Sequence, residues 1–530
     1  MKYIFSFLSL IIATITLAQS NPKVTNSYKF NEILNYVEMM YVDEVDGNEL
    51  TDAAIVAMLE KLDPHSVYIS SEDVDDANER IVGNFVGIGI RFQILKDTLH
   101  VVQTIPGGPS EKVGLLAGDK IVLIEQENVA GIGLKNSEVR KKLLGDKGTK
   151  VTVAVQRKNK ARPISFTITR DVIPVHSIDA SYMITPTTGY MKLNTFSRSS
   201  HEEMLEGIKG LKEQGMKNLI FDLQGNGGGL LRAAKFLADE FLSDDKLIVY
   251  SEGHKQPKQI MAADTDGEWE DGRLIILTDE YSASASEILS GAVQDWDRGL
   301  IVGRRTYGKG LVQRPIDLSD GSQLRLTIAR YFTPSGRFIQ KPYEDLEAYH
   351  MDLWDRYKHG EFMNQDSIQL PDSLMYETLI KKRAVYGGGG IMPDYFVPLD
   401  TSEITDYYSS VIRGGHLNSY TLTFVNDQRK RLNKTYPTFK EFKKSFEIDD
   451  AFMDKLFKYI EKEDPELEFN EEEYKTSEKL LKLRIKGMIA QNLWSFAEFY
   501  EIYNESNEIL QKAIEIIESN EYEAAGLATE

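Results

Sequence analysis

Three serines alternate with alanines in "DEYSASASEI", residues 279 to 288, ahead of an apolar run. A seryl hydroxyl turns nucleophilic only with a base in hydrogen-bond reach, donors for a developing oxyanion and a backbone that exposes Oγ. The helix expected after Ser284 brings an amide-rich N-terminus to that spot. The eight histidines are His65, His100, His176, His201, His254, His350, His359 and His416, and none falls between Lys258 and Pro342, so nothing points to a Ser-His-Asp triad. A different base stands in "GRRTYGKGLVQRP", where Lys309 lies between two glycines. Lysine accepts a proton only when neutral, and burial favours the neutral amine. Alone, a lysine in a glycine turn is more often a surface charge. If the chain is extended beyond Gly308, period-two alternation sends Lys309, Leu311 and Gln313 to one face. The third piece is "FDLQGNGGGLL", residues 221 to 231, where an apolar strand enters a glycine run. Backbone N–H groups there can face an anion. No Gly-Lys-Ser/Thr follows, and the spacing fails a dinucleotide fingerprint, so an oxyanion hole fits better than a phosphate site.

The elements that must position these residues alternate strand and helix from 188 to 335, which predicts an α/β layered core. "KNLIFDL" and "RLIILTD" are apolar enough for buried strands. Before that core, residues 84 to 170 read as short strands separated by turns, with one clear helix near Ser137 to Leu144. Residues 28 to 62 carry helical periodicity through Tyr28, Phe30, Ile33, Leu34, Val37 and Met40, broken at Asp63-Pro64. A glycine run and a proline in "VYGGGGIMPDYFVPL" predict an extended return. From Thr438 to Glu523 the pattern is helical, with Leu480, Leu481, Leu483, Met488, Ile489, Leu493, Phe496, Phe499 and Ile502 on the apolar side. This region reads as an appended, solvated helix bundle, with a dimerisation element as the alternative.

The chain has 530 residues, enough for three or four domains, and a net charge of -20. So acidic a surface argues against nucleic acid or anionic lipid as a partner. The absence of cysteine excludes thiol catalysis and disulfides. "MKYIFSFLSLIIATITLAQS" reads as a signal peptide cleaved after residue 18, with a membrane anchor as the alternative. That reading makes the protein exported, to a bacterial periplasm-like space, with no integral membrane anchor after cleavage.

The segment "GGPSEKVGLLAGDKIVLIEQENVAGI" and its flanking strands resemble a PDZ domain. Such domains bind C-terminal peptides by strand addition, with the carboxylate held by a glycine-rich loop. Gly87, Ile88, Gly89 and Ile90 stand in that position. Taken in order, "LDPHSVYIS", "GIGI", "DLQGNGGG", "SASASEI", "GRRTYGKGLVQ" and "DGSQLRLTIARYFTPSGRFIQ" resemble the C-terminal processing peptidases, or tail-specific proteases. The resemblance covers about residues 28 to 342, plus "GGGIMPD". It implies a Ser-Lys serine protease with Ser284 as nucleophile, Lys309 as base and Gln313 as its support. Ala285 N–H and an N–H from Gly228 or Gly229, with Gly229 preferred, would form the oxyanion hole. Ser282 would line the turn before the nucleophile, and Ser286 would lie near Lys309. The implied fold is a crotonase-like α/β core with an inserted β-rich PDZ domain and helical regions at both ends. The expected division is 1–18 signal, 19–83 helical, 84–171 PDZ, 172–342 protease with 387–398 returning to it, 343–386 insertion and 399–530 helical. Substrates would be polypeptides with apolar C-termini. No metal or cofactor is implied, and homodimerisation would use the helical regions. The family usually carries Arg where this chain has Gln224, which puts rate or regulation in question rather than the nucleophile. A noncatalytic PDZ scaffold is the rival reading.

Overall fold

A computed structural model describes residues 22–527 except 159 and 244. The expected signal segment, 1–18, lies outside the described residues. Among the described residues no helix is long and apolar enough to cross a membrane. The described residues divide into two compact units, 22–71 with 314–326, and 72–313 with 327–527.

In the smaller unit, helices Pro22–Met40 and Gly47–Leu59 are separated by a break that Asp46 caps, its carboxylate accepting from Asn48 N at 2.8 Å. Asp63 then ends the helical stretch by accepting from His65 N, Ser66 N and Ser66 Oγ at 2.8, 2.9 and 2.6 Å. Strand Val67–Ile69 follows and pairs antiparallel with residues 323–325.

The larger unit begins with a β-rich body. Strand β1 (Ile90–Leu95) is the edge of a sheet that continues through Thr98–Thr104, Lys120–Ile124, Lys150–Gln156 and Ile164–Thr169. Alternation puts Val151, Val153 and Val155 in its core with Leu99, Val101 and Ile121. Helix Asn136–Leu143 closes that core with Val139 and Leu143.

A six-stranded mixed sheet follows, in the order β2 (Ile178–Met183), β3 (Thr188–Leu193), β4 (Asn218–Asp222), β5 (Arg273–Thr278), β6 (Leu300–Gly303) and β7 (Tyr395–Phe396). Only the β2–β3 pair is antiparallel. Parallel strands need cover on both faces, because crossovers leave neither face to water. Helices α1 (Ser200–Glu213), α2 (Leu231–Asp239) and α3 (Ala285–Asp295) share one core with Leu193, Leu219, Phe221, Leu274, Ile276 and Ile301. The alternate residues Tyr190, Ile220, Ile275, Leu277, Leu300 and Val302 face the other way.

What covers that second face corrects the reading of the C-terminal region as an appended bundle. Residues 406 to 503 do form a helical body with its own core, centred on Val411, Val425, Phe442, Leu456, Ile485 and Ile489. Its last helix is α4 (Phe496–Tyr503). The chain then returns as α5 (Glu508–Ile517), whose Ile509, Leu510, Ala513, Ile516 and Ile517 pack on the sheet. Glu518 accepts from the hydroxyls of Thr185, Thr187 and Thr188. Tyr522 Oη accepts from Leu274 N at 2.9 Å. The end of the chain is a layer of the α/β core.

Candidate active site

The carboxyl ends of β4, β5 and β6 deliver three loops to one edge of the sheet. These are the glycine loop 223–230, the serine loop 279–284 and the lysine loop 304–310. Parallel strands with their connecting helices open their functional edge there.

Ser284 is the N-cap of α3 and has φ 57°, ψ −111°. A left-handed φ is uncommon outside glycine, and strain of this kind costs on the order of 1–3 kcal/mol. The loop is held hard enough to keep it. Ser282 Oγ donates to Leu223 O at 2.8 Å, Ala283 N to Asn226 O at 3.0 Å, and Ser286 Oγ to Asn226 O at 2.8 Å. Ser282 and Ser286 therefore lace the serine loop to the glycine loop. Ser286, expected near Lys309, directs its hydroxyl at Asn226 O.

Glycine is required at 228 by contact. A Cβ there would sit 2.8 Å from Ser284 Cβ and 2.9 Å from Ala285 N. Its N–H donates to Asn226 Oδ1 at 2.8 Å, which corrects the expectation of Gly228 as a donor to the site. Its carbonyl accepts from Phe196 N at 3.0 Å. In a trans peptide the next N–H, that of Gly229, points the opposite way, away from Phe196. Ala285 opens helix α3, where backbone N–H groups have no partner within the helix.

Two side chains join the serine and lysine loops. Glu287 is fully buried, and its carboxylate accepts from Ser284 N at 2.8 Å, Thr306 Oγ1 at 2.5 Å, Gly308 N at 2.7 Å and Lys309 N at 2.9 Å. Burial pushes its pKa up to about 7, against the lowering effect of those four donors. Tyr331, also buried, places its hydroxyl 2.6 Å from Lys309 O and 3.1 Å from Ser284 O. Burial raises that phenol well above its ordinary range, so it remains a donor. Lys309 is half-buried, and Gln313 Nε2 donates to Thr327 Oγ1 at 3.2 Å. Serine, lysine and glycine loops thus converge, with Gln313 on the strand that leaves the lysine loop.

Matches to known families follow this division. Residues 187–346 match peptidase family S41, 86–168 match a PDZ domain, and 13–73 match the N-terminal domain of the activating protease CtpB. Residues 407–495 match a family of unknown function. A carboxy-terminal-processing protease of Bartonella bacilliformis is 35% identical over 347 residues, 64% of this chain and 78% of that protein. The chain belongs to the carboxy-terminal-processing proteases of family S41. It is a serine peptidase with a PDZ domain. A probable CtpA-like serine protease of Staphylococcus aureus is 33% identical, over 59% of this chain and 63% of its own. A solved photosystem II D1 C-terminal processing protease is 29% identical over 58% of this chain and 88% of its own, with a TM-score of 0.33.

In the PDZ body, the turn at Gly87–Ile90 has a defined backbone orientation. Ile88 O accepts from Ser110 N and Oγ at 3.0 and 2.6 Å, and Gly89 O accepts from Ile105 N at 3.0 Å. Both carbonyls turn inward, so the N–H groups of Gly89 and Ile90 turn outward. Gly89 has φ 72°, and a Cβ would press on Ile173 and Pro109 at 3.0 and 3.1 Å. Gly87 and Ile88 lead into the turn, with Ile88 buried.

Where the protease family usually has Arg, Gln224 donates its N–H to Asp222 Oδ1 at 2.7 Å. Its Nε2 is buried without a partner. A cation is nevertheless present. Lys192, from β3, donates to Gln224 O and lies 3.3 Å from Asp222 Oδ1. Glu287, Tyr331 and Lys192 were missed in the sequence. Only Glu287 left a signal there, as the fourth residue of Ser284-Ala-Ser-Glu287, a capping-box pattern.

Proposed function

We propose that this serine peptidase is an endopeptidase that grips apolar polypeptide C-termini at Gly87–Ile90 and cuts with a Ser284–Lys309 dyad. The observation that carries the reading is the strained Ser284, tied through Glu287 and Tyr331 to the backbone of Lys309. The crotonase-like assignment of the core belongs to the same reading.

The neutral Lys309 amine takes the Ser284 Oγ proton as Oγ bonds to the scissile carbonyl carbon. The carbonyl electron pair moves onto oxygen, where Ala285 N–H and Gly229 N–H donate to it. Collapse breaks the C–N bond, and the Lys309 ammonium gives its proton to the leaving amine. The neutral amine then deprotonates a water as its oxygen bonds to the acyl carbon; collapse breaks the C–Oγ bond, and the Lys309 ammonium returns its proton to Ser284 Oγ. Gln313 steadies the lysine side of the site. Substrate enters as a strand added to β1, its carboxylate against the N–H groups of Gly89 and Ile90.

The N-terminal residues 1–18 favour work outside the cytoplasm. A homodimer through the helical regions is part of the proposal, because Tyr28, Ile33, Tyr36, Met39 and Met40 are all more than half exposed. The test is cleavage of an unfolded substrate with an apolar C-terminus. Ser284→Ala and Lys309→Ala should each lower turnover by about 10³-fold or more while leaving peptide binding intact. Wild-type-like cleavage by either purified variant would remove the assignment.

A further inference from the structure

Helix α4, outside the segment matched to the peptidase family, touches both the PDZ body and the framework of the glycine loop. At its start, Gln103 Nε2 donates to Trp494 O at 3.0 Å, and the Arg91 guanidinium lies 5.4 Å from the centre of the Phe496 ring. Arg91 belongs to β1, the edge strand that follows Gly87–Ile90. Further along, the Tyr500 ring lies 5.9 Å from Lys192 Nζ, and burial, with the Asp179 carboxylate close by, raises the Tyr500 phenol above its ordinary range. Just past the helix, Asn504 Nδ2 donates to Tyr182 Oη at 2.9 Å, and that ring packs 5.1 Å from Tyr190.

Lys192 and Tyr190 are the residues that hold the loop. Lys192 donates to Gln224 O, and Tyr190 Oη donates to Asp222 Oδ2 at 2.6 Å. Asp222 Oδ1 accepts from Gln224 N. One residue further along β3, Leu193 O accepts from Asn226 Nδ2 at 2.9 Å, and Asn226 Oδ1 takes the Gly228 N–H. A continuous set of packed and hydrogen-bonded groups therefore runs from β1 through α4 to the glycines beside Ser284. Gln224 supplies no charge of its own, so the cation under Tyr500 is what fastens the first turn of the loop.

We propose that helix α4 is a positioning element for the glycine loop, with Tyr500 acting through Lys192 and Asp179, and that Phe496 carries the placement of the PDZ edge strand to that loop. The proposal rests on the protease reading above. A chain of contacts alone does not establish coupling; a shared response does.

The experiment measures turnover of a tailless unfolded substrate with and without a short peptide ending in a free Leu-Ala-Ala carboxylate, and the peptide's affinity by calorimetry. Wild type should change turnover at least threefold on peptide addition. Phe496→Ala truncates a side chain in a residue that is 44% exposed and should keep the fold. It should keep basal turnover and peptide affinity within twofold and lose the peptide response. Tyr500→Phe keeps the ring under Lys192 and removes the hydroxyl beside Asp179. It should lower kcat about fivefold at unchanged KM and unchanged peptide affinity. A Phe496→Ala enzyme with the full wild-type response, or a Tyr500→Phe enzyme with wild-type kcat, overturns the proposal. A wild-type enzyme that cleaves but ignores bound peptide overturns the coupling while leaving the protease reading standing. A wild-type preparation no more active than Ser284→Ala removes that reading, and the proposal with it.

Discussion

The junction of the serine and lysine loops and the seam between the PDZ body and the C-terminal helices are built to opposite standards. At the junction, one buried carboxylate accepts four donors and one buried phenol spans two carbonyls. At the seam, ion pairs Lys96–Glu463 and Lys158–Asp427 are substantially exposed, with lysines 63% and 64% accessible. Exposed pairs of this kind contribute about 0–1 kcal/mol. Arg429 keeps Nε and Nη2 buried without partners, and its charge opposes that of Arg91. Leaving a buried donor unmade costs about 1–3 kcal/mol. The first region preserves a strained geometry, and the second is held by solvent-screened pairs and leaves buried donors unmet.

Breaking the junction should have the largest effect. Glu287→Gln replaces an all-acceptor carboxylate with an amide whose NH2 must face donors. Turnover should fall about 10²-fold or more, since each lost charged hydrogen bond is worth about 1.5–3 kcal/mol. The pH dependence gives a second reading of the same group. Its folded pKa, about 7, lies above the ordinary 4.5, so the folded state favours the protonated form. Its stability contribution is complete below pH 4.5 and is lost as pH rises through 7. The shift corresponds to about 3 kcal/mol. Between pH 8.5 and 5.5, wild type should gain more stability on acidification than Glu287→Gln. Its turnover should nevertheless decline below pH 7, because protonation removes an acceptor from the loops. Parallel denaturation curves for the two proteins would contradict this account.

Much of this architecture was legible in the sequence, and the gaps have physical causes. Apolar strands, glycine turns and the order of motifs located the three loops, because each depends on local patterning. Tyr331 could not be found that way. It lies 47 residues from Ser284 and 22 from Lys309, and a tyrosine in a strand looks the same whether its hydroxyl meets water or two carbonyls. Lys192 was hidden similarly, since strand pairing alone sets it beside Asp222. The pattern of α5 is amphipathic, which predicts a buried face but not its partner. The helix was therefore read as part of a bundle rather than as a layer of the core.

Removing the second clasp is a milder way to sharpen the contrast. Tyr331→Phe keeps the buried ring and deletes one shared donor. Turnover should drop about tenfold and stability by about 1–2 kcal/mol, as for a buried hydrogen bond whose acceptors are left unmade. Kinetics and denaturant unfolding on the same preparation separate the two. Unchanged values would mean that Glu287 alone sets the distance between the loops.

The seam should give the smallest response. Arg429 donates Nη1 to Asn492 O at 2.9 Å, and burial lowers its pKa. Arg429→Met preserves most of the packing while removing a desolvated charge and its repulsion with Arg91. Replacing an imperfectly paired buried cation by an apolar group of similar size is often neutral or stabilising. Global stability should therefore stay within about 1 kcal/mol of wild type or rise slightly, in contrast to the losses at the junction. Hydrogen exchange of the amides in β1 and in strand Thr98–Thr104 should slow, because the PDZ body is held more firmly without the repulsion. A variant losing several kcal/mol would show instead that Arg429 organises the seam, and the two regions would no longer differ in kind.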